Sequence, residues 1–128
     1  MSAVGKLIFK YGTMNSGKSI DLLKTNHSYR EYGKKTLVYT TKYDNRFVEG
    51  KVASRIGIST EAILFDKDFD FIDSFYKYYK DRIDCVLIDE AQFLTKEQVL
   101  CLSSIANNTD VIIIAYGLKT DFQNKLFE

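Results

Sequence analysis

Residues 12–19 carry the strongest chemical signal of the sequence, because they fit the pattern GxxxxGKS/T at every fixed position. The segment reads Gly12, Thr13, Met14, Asn15, Ser16, Gly17, Lys18 and Ser19. Glycines at both ends permit a close backbone approach that a Cβ atom would block, so the amide groups between them can converge on phosphate oxygens. The pattern places the lysine ammonium on the β- and γ-phosphates of a nucleotide and the serine hydroxyl on Mg²⁺. We therefore expect this segment to bind ATP together with magnesium.

A second candidate site follows the bare apolar run of residues 85–88, where the chain continues with Asp89, Glu90, Ala91, Gln92 and Phe93. A phosphate-loop protein needs its second contact to Mg²⁺ at the tip of a buried strand, and Asp89 fits this role through a water molecule. Glu90 fits a general base that takes the proton from the oxygen attacking the γ-phosphate. If that oxygen belongs to water the protein is an ATPase, and if it belongs to a substrate hydroxyl the protein is a kinase. The residues of this site alone do not decide between the two.

The elements that must position these residues alternate between strands and helices. Strands are predicted at residues 6–11, 36–41, 85–88 and 111–115, with two shorter ones at 52–55 and 62–65 around Gly57. Helices are predicted at 18–32, 71–79 and 95–106, the last from a capping-box sequence at 95–98. The clearest strands are apolar throughout, which indicates a parallel sheet with helices on both faces, an α/β fold. Ligands of such sheets bind beyond the carboxyl ends of the strands, so we expect the chemistry just after Tyr11, Thr41, Ile88 and Ala115.

Length and composition predict one globular domain. The 128 residues carry 18 Lys and Arg against 17 Asp and Glu, a net charge of +1 that disfavours a nucleic-acid binder. No apolar run approaches the roughly 20 residues of a membrane span, and the start of the chain lacks the layout of a signal peptide. Cys85 and Cys101 stand apart in apolar stretches, which is typical of reduced, buried side chains. These features predict a cytoplasmic protein with no membrane or nucleic-acid partner.

Four segments together resemble the zinc-bearing cytosolic type of thymidine kinase. Their sequences are most similar to the motifs of this family in low-GC Gram-positive bacteria. They are residues 12–19, Asp44-Asn45-Arg46, residues 89–93 and residues 117–123. They occur in the order of the family and at about its spacing, and the match extends from about Leu7 to Glu128. The resemblance implies a RecA-like P-loop fold, with residues 1–128 as one kinase domain. It also implies ATP-dependent phosphorylation of the 5′-hydroxyl of thymidine in nucleotide salvage, by a homotetramer.

The resemblance implies a role for each residue of the ATP side of the site. Lys18 and Ser19 bind the ATP phosphates and Mg²⁺, and Asp89 supports the Mg²⁺. Gln92 lies beside Asp89 on the same side of the site. Glu90 accepts the proton of the thymidine 5′-hydroxyl.

The resemblance also implies the residues of the substrate side. Arg46 helps to neutralise the phosphoryl group during transfer, which makes it catalytic together with Glu90 and Lys18. Asp44 lies in the metal region and next to the substrate. Residues that match positions lining the thymine pocket are Met14, Phe93, Leu118 and Phe122.

The sequence departs from the family beyond its last motif. Family members continue well past the position matching Glu128, into a small zinc lobe and a loop that closes over thymidine. Cys85 and Cys101 have no zinc-motif spacing, so we expect no zinc in this chain. We expect ATP–Mg²⁺ binding with weak or absent thymidine kinase activity. Two alternatives to a nucleoside kinase stay open: a DExx-type ATPase module stimulated by nucleic acid, and a non-catalytic nucleotide-binding fragment.

Overall fold

The computed structural model describes residues 5–12, 18–41, 51–53, 59–79 and 82–118, and for residues 18–20, 51–53, 59–61 and 118 it describes the backbone alone. The strands are β1 (Lys6–Gly12), β2 (Thr36–Thr41), β3 (Lys51–Ala53), β4 (Ser59–Glu61), β5 (Ile63–Phe65), β6 (Cys85–Ile88) and β7 (Ile112–Leu118). The helices are α1 (Lys18–Glu31), α2 (Phe71–Tyr78) and α3 (Lys96–Asn108), with a short 3₁₀ helix at Ala91–Phe93. Within the described ranges no helix is long and apolar enough to cross a membrane.

Five strands form one sheet in the order β1-β7-β6-β2-β5, and every neighbouring pair in it is parallel. β3 and β4 pair separately as an antiparallel two-stranded sheet. The predicted parallel α/β fold is therefore confirmed. The strands at 36–41 and 85–88 have the predicted bounds.

Helices cover both faces of the sheet, because successive side chains of a strand point to opposite faces. Val86 of β6 lies in a core cluster with Phe71 of α2 and Leu102 of α3. Its neighbour Leu87 lies in a second cluster with Leu22 of α1. One face is therefore covered by α1 and the other by α2 and α3. A strand that is covered on both faces buries every side chain, which explains why β6 is apolar at each position.

Side-chain hydrogen bonds fix the beginning of α3 as the sequence predicts. The Thr95 hydroxyl accepts a hydrogen bond from the Gln98 backbone amide at 3.1 Å, and the Thr95 amide donates to Gln98 Oε1 at 3.0 Å. The capping box is therefore confirmed. Gln98 Nε2 also donates to the carbonyl oxygens of Asp66 and Phe69, at 2.6 and 3.2 Å. The same side chain thus ties the turn after β5 to the start of α3.

The two short strands predicted at 52–55 and 62–65 are present with shifted bounds, as β3 (Lys51–Ala53) and β5 (Ile63–Phe65). β3 pairs with β4, a strand the sequence analysis missed, and β5 joins the main sheet beside β2. The physical reason is that β5 carries the apolar residues that the core needs, including the fully buried Phe65. Residues 54 and 55 lie outside the described ranges.

The last strand continues beyond its predicted end at Ala115. It runs to Leu118, because Lys10, Tyr11 and Gly12 of β1 extend the parallel ladder alongside it. Leu118 therefore belongs to the strand and pairs with Gly12 instead of following the strand end. It lies at the carboxyl edge of the sheet, as expected.

Candidate active site

The carboxyl edge of the parallel sheet brings the described candidate residues together. Gly12 ends β1 beside Leu118, the last residue of β7. Asp89 and Glu90 directly follow β6, which pairs with β7 on its other side. α1 begins at Lys18, shortly after β1 ends. One strand, β7, therefore separates the strand that leads into the phosphate loop from the strand that leads into the carboxylates.

Several predicted site residues lie outside the described part of the chain. These are Thr13, Met14, Asn15, Ser16, Gly17, Asp44, Arg46 and Phe122. For Lys18, Ser19 and Leu118 the backbone is described and the side chain is not. Their assigned roles stay predictions.

Asp89 extends the ladder between β6 and β2 by one residue. Its backbone amide donates to the carbonyl oxygen of Tyr39 at 2.8 Å, after the last register pair Tyr39 and Ile88. Tyr39 and Ile88 both belong to the core beneath α2 and α3. Continued alternation places Asp89 on the opposite face, where α1 packs. Its side chain is 0% exposed, so the carboxylate lies in a region from which bulk water is excluded.

Glu90 follows in the left-handed backbone region, with φ 57° and ψ 47°. A non-glycine residue held there costs about 1–3 kcal/mol, which persists only where the surroundings enforce it. The Glu90 carbonyl accepts a hydrogen bond from the Phe93 amide at 3.1 Å, which closes the turn into the 3₁₀ helix. Glu90 is also 0% exposed. A strained and fully buried glutamate at a ligand-binding edge is a candidate for chemistry rather than for solubility.

Gln92 holds the carboxylate of Glu90 in place. Its Nε2 atom donates a hydrogen bond to Glu90 Oε1 at 2.7 Å. Gly117 of β7 lies directly against this turn. A Cβ atom at Gly117 would sit 3.1 Å from the Gln92 backbone nitrogen and 3.2 Å from Gln92 Oε1. The absent side chain at Gly117 therefore gives the glutamine room beside β7.

Phe93 ends the 3₁₀ helix three residues after Glu90 and is 40% exposed. A large apolar side chain that remains partly accessible beside a buried carboxylate can stack against a flat ring. The neighbouring Ala91 is fully buried and fixes the short helix against the core. The position of Phe93 is therefore compatible with its predicted place in a base pocket.

The cysteines lie in two different elements. Cys85 starts β6, and burial raises the pKa of its thiol to about 12. Cys101 lies half-buried in α3. The Cys85 thiol therefore stays protonated at neutral pH, which makes it a poor nucleophile, and it lies at the opposite end of β6 from Asp89.

Sequence reasoning missed two residues of this edge, Thr40 and Gly117. The β-branched run at 36–41 marks Thr40 only as part of a strand, and its position beside Asp89 depends on the sheet order. Gly117 stands at the start of the motif at 117–123, but its contact with Gln92 follows from the extension of β7. A glycine inside an apolar strand was the available signal, since such a glycine often marks a close backbone approach.

The protein is an α/β protein with a five-stranded parallel sheet. Proteins of this class bind ligands beyond the carboxyl ends of the strands, which is where the buried Asp89 and Glu90 lie. A sequence model of one family, described as thymidine kinase, matches residues 5–128. The chain belongs to the thymidine kinase family.

Curated relatives show the same similarity along nearly the whole chain. A thymidine kinase from Haemophilus influenzae is 48% identical over 126 residues, which cover 98% of this chain and 65% of the relative. One from Pasteurella multocida is 49% identical over 126 residues, covering 98% of this chain and 66% of the relative. One from Escherichia coli O157:H7 is 44% identical over 125 residues, covering 97% and 61%. The chain thus spans less than two thirds of the length of these relatives.

Proposed function

We propose that the protein is the ATP-binding domain of a thymidine kinase, which transfers the γ-phosphoryl group of ATP to the 5′-hydroxyl of thymidine. Membership of the family supports this reaction, as does the name shared by the relatives. The structural observation that carries the catalytic part is the buried carboxylate of Glu90, held by Gln92 at the carboxyl edge. A homotetrameric assembly and a cytoplasmic location remain predictions of the family resemblance.

The proposed reaction moves one phosphoryl group and one proton. The amides of residues 12–17 and the ammonium of Lys18 hold the triphosphate at the positive end of α1. Glu90 accepts the proton of the 5′-hydroxyl as its oxygen forms a bond to the γ-phosphorus. The bond from that phosphorus to the β–γ bridging oxygen breaks, and ADP leaves with the electron pair. The Arg46 guanidinium balances the charge on the transferred group.

Two features of the Glu90 environment fit this role. Its full burial keeps water away from the reacting oxygens, which favours transfer to a hydroxyl over hydrolysis. The hydrogen bond from Gln92 and the fixed left-handed backbone hold the carboxylate in one position before the substrate arrives. A base that is already oriented does not lose conformational freedom during the reaction.

The residues on the α1 face fit a magnesium ion. Mg²⁺ binds through oxygen ligands and keeps several of its waters, and the buried carboxylate of Asp89 offers such oxygens. The Ser19 hydroxyl and Asp89 would hold the ion, Asp89 through water. When bound, the ion neutralises negative charge on the phosphates.

The substrate side of the site is assigned by the resemblance. Met14, Phe93, Leu118 and Phe122 would surround the thymine ring, with Asp44 nearby. The partly exposed ring of Phe93 and the edge position of Leu118 support this arrangement. Stacking on an aromatic face is a suitable way to hold a flat base.

The experiment measures binding and turnover separately on the purified 128-residue chain. Titration calorimetry with MgATP should show saturable binding that falls about tenfold or more in Lys18→Met, the size of a lost charged hydrogen bond. Lys24→Met is the matched control, because Lys24 is exposed on the same helix. Any dTMP formation from labelled thymidine should fall by about 10²–10⁴ in Glu90→Gln, with MgATP binding unchanged.

The outcomes separate the three candidate functions. Absence of MgATP binding would overturn the proposal. Hydrolysis stimulated by nucleic acid and indifferent to thymidine identifies a DExx-type ATPase. MgATP binding without any thymidine-dependent turnover identifies a nucleotide-binding fragment. Survival of dTMP formation in Glu90→Gln contradicts the assignment of Glu90 as the base.

A further inference from the structure

Thr40 carries a buried hydroxyl that the fold does not explain. The residue is 3% exposed, and its Oγ1 atom has no hydrogen-bond partner in the described part of the chain. Leaving a hydroxyl buried and unpaired costs about 1–3 kcal/mol. Valine would fill the same space without this cost. The threonine therefore calls for a partner that the described part of the chain does not supply.

The sheet register places Thr40 beside Asp89. β2 and β6 are parallel neighbours, and their last register pair, Tyr39 with Ile88, faces α2 and α3. The next residues along the two strands are Thr40 and Asp89, and the Asp89 amide continues the ladder by bonding to the Tyr39 carbonyl. Since side chains alternate along a strand, both residues belong to the opposite face.

That opposite face is the one covered by α1. Val38 and Leu87, which precede Thr40 and Asp89 by two residues on their strands, both pack in the cluster with α1. A hydroxyl and a carboxylate, each almost completely buried, thus lie side by side at the carboxyl end of the sheet. The helix that follows the phosphate-loop sequence packs on the same face.

We propose that the Thr40 hydroxyl is a polar contact of the magnesium–ATP site, accepting a hydrogen bond from a water in the hydration shell of the cation. This inference rests on the proposed function. Mg²⁺ gives up its waters reluctantly, so each retained water needs acceptors for its protons. Asp89 supplies such acceptors from β6, and Thr40 supplies another from the adjacent strand β2. Thr40 is thus a positioning residue for the cation and takes no part in proton transfer.

The test compares Thr40→Val, Thr40→Ser and Thr40→Ala in the 128-residue chain. Calorimetry measures ATP affinity with Mg²⁺ and again with the metal removed by EDTA, and thermal unfolding measures stability without nucleotide. Thr40→Val should lower the affinity for MgATP about five- to tenfold, the effect of one neutral hydrogen bond, and leave metal-free ATP binding unchanged. Thr40→Ser keeps the hydroxyl, so its affinities for ATP with and without Mg²⁺ should both equal those of the unaltered chain. Without nucleotide, Thr40→Val should unfold at the same temperature as the unaltered chain or higher.

Thr41→Val is the matched control, since the next residue of the same strand belongs to the other face. It should leave the ratio of the two ATP affinities unchanged. An equal loss in Thr40→Val with and without Mg²⁺ overturns the inference, because it indicates a direct phosphate contact. The inference is also overturned if Thr40→Val loses no ATP affinity either with or without Mg²⁺. If the valine variant does not fold, the ratio of the two ATP affinities is measured on Thr40→Ala instead. Failure of the unaltered chain to bind MgATP refutes the proposed function as well, so the two failures are distinguishable.

Discussion

Replacing Asp84 by asparagine removes a charge at a residue where the beginnings of three strands meet. The carboxylate accepts hydrogen bonds from the Lys35 backbone amide at 2.9 Å and from Arg82 Nε at 3.0 Å. The backbone of Asp84 adds two more links, from its amide to the Lys35 carbonyl at 2.8 Å and from the Ile112 amide to its carbonyl at 3.3 Å. β2, β6 and β7 therefore start in register around this one residue. Their opposite ends carry Thr40, Asp89 and Gly117.

The size of the loss follows from the two partners of the carboxylate. Burial alone would raise the pKa of Asp84, but the Lys35 amide and the Arg82 guanidinium outweigh it, so the pKa lies below its ordinary value. A hydrogen bond to a charged group contributes about 1.5–3 kcal/mol, whereas an ion pair with the 72% exposed Arg82 adds about 0–1 kcal/mol. Asparagine retains one neutral acceptor. We therefore expect Asp84→Asn to lower the free energy of unfolding by about 1–2 kcal/mol at pH 7.

The loss of unfolding free energy in Asp84→Asn should become smaller as the pH falls. Because the folded pKa of Asp84 is depressed, its contribution is complete above the unfolded pKa of about 4 and disappears as the pH falls through the folded value. Urea unfolding followed by circular dichroism should show the gap between Asp84→Asn and the unaltered chain at pH 7, narrowing steadily below about pH 4. Arg82→Ala should cost no more than about 1 kcal/mol. Asp68→Asn, which removes an exposed carboxylate, should change stability by less than about 0.5 kcal/mol. A gap of equal size at pH 7 and pH 3 would refute the reasoning.

Other predictions concern the turn after Glu90 at the carboxyl edge of the sheet and the two thiols. Gly117→Ala should lower the free energy of unfolding by about 1–3 kcal/mol, because the new Cβ atom crowds Gln92; an unchanged urea midpoint would contradict the close contact. With a thiol reagent at pH 8, Cys101 should react in the folded chain and Cys85 only on unfolding, since burial raises the Cys85 pKa to about 12; equal rates would be inconsistent with the burial of β6. Elemental analysis of the purified chain should find far less than one zinc per molecule, and a stoichiometric amount would show that the assignment of both cysteines is wrong.

The regular elements were predictable where one local cause decides them. The strand at 85–88 was assigned to the residue because a strand covered on both faces is apolar at each position, and the strand at 36–41 because its residues are β-branched and aromatic. The start of α3 was predictable from the capping box, whose two hydrogen bonds lie within four consecutive residues. β7 was predicted too short, because its end depends on β1, which lies about a hundred residues earlier in the chain. In the sequence, Tyr116 and Gly117 look like the end of a strand. Pairing with β1 nevertheless extends β7 through both residues.

The candidate site at the carboxyl edge of the sheet was likewise predictable only where the signal is local. The position of Asp89 and Glu90 at the end of a buried strand was predictable, because carboxylates after an apolar run are a local signal, and their catalytic roles stay predictions. The orientation of Glu90 by Gln92 and the space that Gly117 leaves for the glutamine were not, since both depend on how β7 lies against the turn. Thr40 was missed for the same reason. Its relation to Asp89 exists only because the sheet order makes β2 the neighbour of β6.

The sheet order also limits what can join the phosphate loop to Asp89. β7 lies between the two strands concerned, so their axes are about 10 Å apart at the usual spacing of neighbouring strands. Gly117, which precedes the last residue of β7, offers no side chain to bridge that gap. A triphosphate with its cation is long and polar enough to span the distance between the end of β1 and Asp89. Thr40 lies one strand further from the loop than Asp89, beyond β6. A magnesium-dependent loss in Thr40→Val would consequently place the hydration shell of the cation at the junction of β6 and β2, and a magnesium-independent loss would place the phosphates there instead.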